Sequence, residues 1–205
     1  MGAHSAAIHA HWAVIESREV VMTLELIPLD KHWARQIAAK GDDSLRASCA
    51  NYDDVAEFLG ESVDAHIALY EETNAVAPWI AYLARTPHAR EFVGICSFKG
   101  ARRDGKVEIA YFTFPPYRGQ RHGGAMAAQL VDLALRYPDV AEVIVHTRPE
   151  ENESVRILRG LGFTRAGEVY DSEDGTVWRW SLQRDASPHM RSAVSKALAA
   201  LAMFA

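Results

Sequence analysis

The chain has only two cysteines, Cys49 and Cys96, in 205 residues. That excludes a disulfide scaffold. Neither cysteine lies in a C-x-x-C pair or in a Cys/His cluster spaced for zinc, so both read as reduced thiols and no metal is expected. Long apolar runs are also missing, since nothing approaches the roughly 18 to 20 residues that a membrane-spanning helix needs. The N-terminus lacks the basic start and apolar stretch of a secretory signal, so the expected compartment is cytoplasmic, with no membrane partner. Positive charge is in short supply: 22 basic against 27 acidic residues give a formal net charge of −5. Such a field disfavours phosphate backbones and argues against a nucleic-acid partner. Repeats and low-complexity linkers are absent, which makes one domain the economical organisation. What remains, 49% hydrophobic and 24% charged residues, is the composition of an ordinary globular chain rather than a disordered one.

The first twenty residues are rich in Ala and His, show little periodicity, and read as a loose leader. A strand is predicted from Thr23 to Leu29, then a helix capped by Asp30 and stopped at Gly41. Asn51 or Asp53 can cap a longer helix that carries Val55, Phe58, Leu59, Val63, Ile67 and Tyr70 at helical spacing. Three antiparallel strands follow, at Trp79–Ala84, Glu91–Lys99 and Val107–Phe114, the last two joined through a tight turn at Asp104-Gly105. A helix with Met126, Leu130 and Leu133 on one face then leads into the apolar run Val140–Val145, which implies a parallel crossover. A short helix at Ser154–Leu161 and a hairpin of Phe163–Tyr170 with Val177–Gln183 complete the domain, placed at residues 21–185.

Between the third of those strands and the crossover helix lies Pro116-Tyr117-Arg118-Gly119-Gln120-Arg121-His122-Gly123-Gly124-Ala125. Glycines at a strand-to-helix turn let backbone bend and let a ligand approach, and a helix N-terminus offers unpaired N–H groups to an anion. Charge around the turn points the same way. Residues 101–125 hold five basic side chains (Arg102, Arg103, Lys106, Arg118, Arg121) against Asp104 and Glu108, a balance suited to a small polyanion. The segment lacks the Lys-Ser/Thr ending of a P-loop and the G-x-G-x-x-G spacing of a dinucleotide fold.

The order Arg118-Gly119-Gln120-Arg121-His122-Gly123-Gly124-Ala125 resembles the acetyl-CoA pyrophosphate loop of the GNAT superfamily of N-acetyltransferases. A second block, Asn152-Glu153-Ser154 through Leu161-Gly162-Phe163, resembles that family's later helix and its closing Leu-Gly-Phe. Glu108-Ile109-Ala110-Tyr111 and Ser154 are similar to the branch of ribosomal-protein N-terminal acetyltransferases. The resemblance implies an α/β (α+β) fold, with a mixed, mostly antiparallel central sheet flanked by helices. It also implies acetyl-CoA as co-substrate and an amine as acceptor. The expected cofactor contacts are Arg118, Gly119, Gln120, Arg121, His122, Gly123 and Gly124 in the loop, the backbone of Phe112, Thr113 and Phe114 at a strand irregularity, and Asn152, one place later than the family's asparagine.

Acetyl transfer to an amine needs a neutral nucleophile, a polarised thioester carbonyl and a proton for the departing thiolate. Glu108 stands where the family often places its base; it is equally a solvent-facing carboxylate between Val107 and Ile109. His146 is the alternative base, or else a partly buried hydrogen-bonding residue. Ser154 is the candidate proton donor, or a helix cap, because Leu158 occupies the place of the usual tyrosine. His122 at the helix start reads as packing. Asp53, Glu57, Glu61 and Asp64 form an acidic helix face that can attract a cationic amine or simply be solvated. Trp33, Tyr52, Phe58 and Trp79 lie where the family shapes its acceptor cleft, or are core aromatics. Two functions follow: direct acetyl transfer to a primary amine, either a small amine or a protein N-terminus, or a non-catalytic CoA-binding regulatory or scaffold module. Outside the resemblance, Ser187-Pro188 opens an amphipathic helix over 186–205 with Val194, Leu198 and Leu201 in one stripe, packed on the domain or at a homodimer contact.

Overall fold

The computed structural model describes residues 24–40, 46, 49–172 and 174–184; the leader and the C-terminal helix predicted from sequence lie outside these described residues. The elements run β1 (Glu25–Leu29), α1 (Lys31–Lys40), α2 (Tyr52–Thr73), β2 (Ala81–Arg85), β3 (Phe92–Phe98), β4 (Lys106–Thr113), a 3-10 turn (Pro115–Tyr117), α3 (His122–Leu135), β5 (Glu142–Thr147), α4 (Glu153–Gly160), β6 (Thr164–Asp171) and β7 (Gly175–Gln183). Seven strands form one sheet in the order β1-β2-β3-β4-β5-β7-β6. All neighbours are antiparallel except β4 and β5, the parallel crossover that the strand-helix-strand order requires.

Local chemistry accounts for most element ends. Asp30 caps α1, its Oδ1 accepting from the Trp33 amide at 2.8 Å. The β3–β4 connection is a tight hairpin in which Asp104 and Gly105 both take positive φ (51° and 72°), and Arg103 and Lys106 exchange two backbone hydrogen bonds at 2.9 Å. The cap expected at Asn51 differs in kind. Asn51 does precede α2, but its side chain caps nothing and turns instead into the protein interior.

Helix α2 buries Val55, Leu59, Val63 and Tyr70, and Phe58 and Ile67 of the predicted stripe pack half-buried against the same core. Tyr70 ties three elements together. Its hydroxyl donates to the Leu29 carbonyl at 2.6 Å and accepts from the Ala81 amide at 2.8 Å, joining the end of β1 and the start of β2 to the helix. Burial pushes its pKa up to about 12, so it stays protonated at any working pH. Trp79 packs edge-on against Phe98 and beside Tyr137, both at 5.0 Å between centroids, and belongs to the core rather than to a cleft.

Tyr70→Phe keeps the packing but leaves a buried carbonyl and a buried amide without partners. The expected cost is about 1 to 3 kcal/mol, and at about 2 to 4 °C per kcal/mol for a chain of this size a thermal melt resolves it. An unchanged melting temperature would mean that water reaches both groups.

Candidate active site

The parallel pair β4/β5 holds together at only three positions, Lys106↔Glu142, Val107↔Val143 and Glu108↔Ile144. Beyond them β4 stays with β3 as far as Thr113, and β5 stays with β7 as far as Thr147. The sheet is therefore split at its centre, open toward the C-terminal ends of both strands. Along β4, Lys99 donates to the Glu108 carbonyl and Phe114 to the Val93 carbonyl, both at 2.9 Å. Alternation then turns the backbone groups of Ile109, Tyr111 and Thr113 toward the opening.

Two corrections follow for the expected backbone contacts. The β3/β4 register is unbroken from Phe98↔Ile109 to Gly94↔Thr113, so the strand irregularity expected at Phe112–Phe114 is absent. The Phe114 amide is already committed to Val93, which leaves Thr113, with Tyr111 before it, as the residues whose backbone faces the opening, the Thr113 carbonyl there accepting from Arg118 Nε at 3.4 Å. Phe112 contributes its ring, 39% exposed and 5.6 Å from the Arg118 guanidinium carbon.

The glycine-rich turn sits at the mouth of the opening. After the 3-10 turn, Gly119 takes φ 76° and Arg121 φ 66°, and α3 starts at His122 with no side-chain cap. The amides of residues 119 to 124 meet no acceptor among the described residues, and the first helical bond is Ala125 N–H to Arg121 O at 3.2 Å. Six unpaired donors at the positive end of a 14-residue helix, with Arg118 and Arg121 exposed beside them, form a site for an anion. The other three basic residues counted with this loop belong elsewhere. Arg102 pairs with Asp139 at 2.5 Å and Lys106 with Glu142 at 3.4 Å, and Arg103 closes the hairpin; that turn is about 23 Å away at 3.3 Å per strand residue. Gly123 is buried for a packing reason: a Cβ there would stand 3.2 Å from Ile157 Cδ1 and 3.3 Å from Thr113 Oγ1. His122 is buried too, its Nδ1 without a partner among the described residues, and desolvation lowers its pKa.

Glu108 and His146, alternatives in the sequence, are brought together by the fold. Glu108 Oε1 lies 3.0 Å from His146 Nδ1, and both side chains are about a third exposed (30% and 27%). Glu108 is the last β4 residue paired with β5, so this contact spans the fork of the opening. Facing a carboxylate oxygen, Nδ1 is the donor, which leaves Nε2 as the acceptor in the neutral ring. Phe112 lies on the same face of β4 as Glu108, and Phe114 stacks on Phe58 of α2 at 6.2 Å, giving that side an aromatic wall.

On the other face, α4 brings its first turn to the opening. Its cap is Asn152, whose Oδ1 accepts from the Val155 amide at 3.1 Å; the residue expected at the cofactor thus has its oxygen committed, while Ser154 caps nothing. Tyr111, not singled out in the sequence, reaches across so that its hydroxyl is 3.5 Å from the Ser154 carbonyl. Burial pushes the Tyr111 pKa up to about 12. The signal that could have found it is alternation, which puts Tyr111 on the helix-covered face with Val107 and Ile109. Leu158 is fully buried core.

The family model described as "Acetyltransferase (GNAT) domain" matches residues 24–164. RimL, a ribosomal L7/L12 alpha-N-protein acetyltransferase in complex with coenzyme A, aligns at TM-score 0.53 and 21% identity over 80% of this chain and 96% of its own. Aminoglycoside acetyltransferase AAC(6')-Ib, also in complex with coenzyme A, gives 0.57 and 18% over 82% and 99%. A chimera of the spermidine N-acetyltransferase SpeG from Vibrio cholerae and hSSAT gives 0.55 and 14% over 86% and 99%. Identities this low show a shared fold. No curated protein matches the chain by sequence.

Arg121 holds a left-handed backbone that costs an L-residue about 1 to 2 kcal/mol. Arg121→Gly should therefore melt no lower than the parent, while losing several-fold in CoA affinity because a guanidinium leaves the anion site. Calorimetric titration beside a melt separates the two; a lower melting temperature would mean that Arg121 is not strained.

Proposed function

The chain belongs to the GNAT acetyltransferase family, and from that membership we propose that it moves an acetyl group from acetyl-CoA to a primary amine by direct attack in a ternary complex. The observation that carries the reading is the split between β4 and β5, with unpaired amides at one end and the Glu108–His146 pair at the fork. The pyrophosphate sits on the amides of Gly119–Gly124, with Arg118, Gln120 and Arg121 around it. The pantetheine arm lies along β4 in the opening and pairs with the backbone of Tyr111 and Thr113. A β4 N–H facing the opening polarises the thioester carbonyl as its oxygen gains charge.

The acceptor arrives on the Glu108 face, where its ammonium gives one proton to the Glu108–His146 pair. The freed amine attacks the carbonyl, the C–N bond forms and the C–S bond breaks. The second proton of the nitrogen passes to the departing thiolate through the Ser154 hydroxyl, which gives one proton as it takes the other and ends neutral, with the Tyr111 hydroxyl of β4 reaching the same turn of α4. The acceptor class stays at primary amines, small or at a protein N-terminus. The family neighbours named for a ribosomal-protein N-terminus, spermidine and an aminoglycoside all act on amines. The rival is a CoA-binding module without turnover, favoured by Leu158, which is sealed in the core and supplies no proton.

Thiol release from acetyl-CoA, measured over a panel of amines and N-terminal peptides, tests the reading. Turnover with at least one acceptor is expected; CoA binding with no turnover on any of them would support the module instead. Glu108→Gln should lower kcat at neutral pH by about 100-fold or more, with little change in CoA affinity and partial recovery at high pH, where the amine loses its own proton. An unaffected rate would return Glu108 to the role of a strand carboxylate.

A further inference from the structure

Asn51 is 5% exposed and uses every hydrogen-bonding position of its side chain. Its Oδ1 accepts from the Phe92 amide and the Cys49 thiol, both at 3.0 Å, and its Nδ2 donates to the Phe92 carbonyl at 2.8 Å and to the Tyr117 hydroxyl oxygen at 2.6 Å. The two bonds to Phe92 fix Asn51 to β3 and the Cys49 thiol completes its oxygen, so the fourth bond fastens Tyr117 to a rigid point. Tyr117 ends the 3-10 turn just before the anion loop, and His122 begins the helix just after it. Their rings lie 6.5 Å apart, so together they close the neck of the loop.

Between these two residues little else holds the backbone. The Arg118 amide bonds back to Pro115 at 3.3 Å and its Nε to the Thr113 carbonyl at 3.4 Å, while the amides of residues 119 to 122, like those of Gly123 and Gly124 in the first turn of α3, meet no acceptor among the described residues. Two of the residues, Gly119 and Arg121, take left-handed conformations. Convergent amides bind an anion well only if they are held convergent before it arrives, because ordering them on binding subtracts from affinity.

We infer that Tyr117, anchored by Asn51, is a positioning residue that sets the anion loop in its receptive shape, acting on the pyrophosphate end of the donor and not on the transfer step. The inference rests on the acetyl-CoA reading above. Tyr117→Phe is its test, since the ring and its contact with His122 remain while the tie to Asn51 is cut, and Asn51 keeps its bonds to Phe92. Steady-state kinetics are run with acetyl-CoA and with S-acetyl-pantetheine, which carries the same thioester without the pyrophosphate. The variant should raise KM for acetyl-CoA about three- to tenfold, the scale of one lost hydrogen bond. Its kcat, and its kcat/KM for S-acetyl-pantetheine, should stay within about twofold of the parent. Calorimetric CoA affinity should fall by the same factor as KM rises, a readout independent of turnover. Parental affinity for CoA in a folded variant, or equal losses with both donors, would overturn the inference while leaving the acetyltransferase reading intact. A parent protein that binds no CoA would overturn both.

Discussion

Parallel pairing between β4 and β5 covers three residue pairs and then stops, while each strand remains hydrogen-bonded to its outer neighbour. Strand backbone that loses its partner inside a protein must find another or stay open to a ligand. Here the parting strands are backed by the first turns of α3 and α4 on one face and flanked by the Glu108–His146 contact on the other. Tyr111 reaches from β4 to the start of α4, and Gly123 lets α3 close in on Thr113 and Ile157. The glycine-rich loop, the strand backbone and the Glu108–His146 contact are thus arranged in sequence around a single break in the sheet.

The parts of this arrangement that depend on neighbouring residues were legible in the amino-acid sequence. The Asp104-Gly105 hairpin, the Asp30 cap, the crossover that makes β4 and β5 parallel, and the anion loop between β4 and α3 all follow from short-range chemistry. Contacts that depend on the far side of the fold were not. Glu108 and His146 are 38 residues apart and came forward as competitors, whereas the fold makes them a pair. Asn51 looked like a cap because its position is one, yet apart from the Cys49 thiol its partners are 41 and 66 residues away. Asn152, one place from where the family has its asparagine, is claimed by its own helix. Counting charge along 101–125 mixed two ends of one strand, because sequence distance says nothing about which way β4 points.

The glycines of the loop answer different demands at different positions. Gly119 meets the turn's demand for positive φ, but Gly123 answers a packing demand, and Arg121 takes the left-handed conformation where a glycine would be unstrained. An arginine there carries backbone strain while placing a cation beside the unpaired amides. The Tyr117–Asn51 tie belongs to the same logic, since a loop whose amides bond to nothing in the protein needs its ends fixed if it is to be ready for a ligand.

The central claim, that the break in the sheet is where acetyl-CoA binds, is tested most directly by amide NMR of the protein titrated with CoA. The account predicts the largest shifts at Tyr111, Thr113 and residues 119 to 124, with β1, β6 and the exposed face of α2 nearly unmoved. Saturable binding that leaves those amides in place and shifts a different region would contradict it.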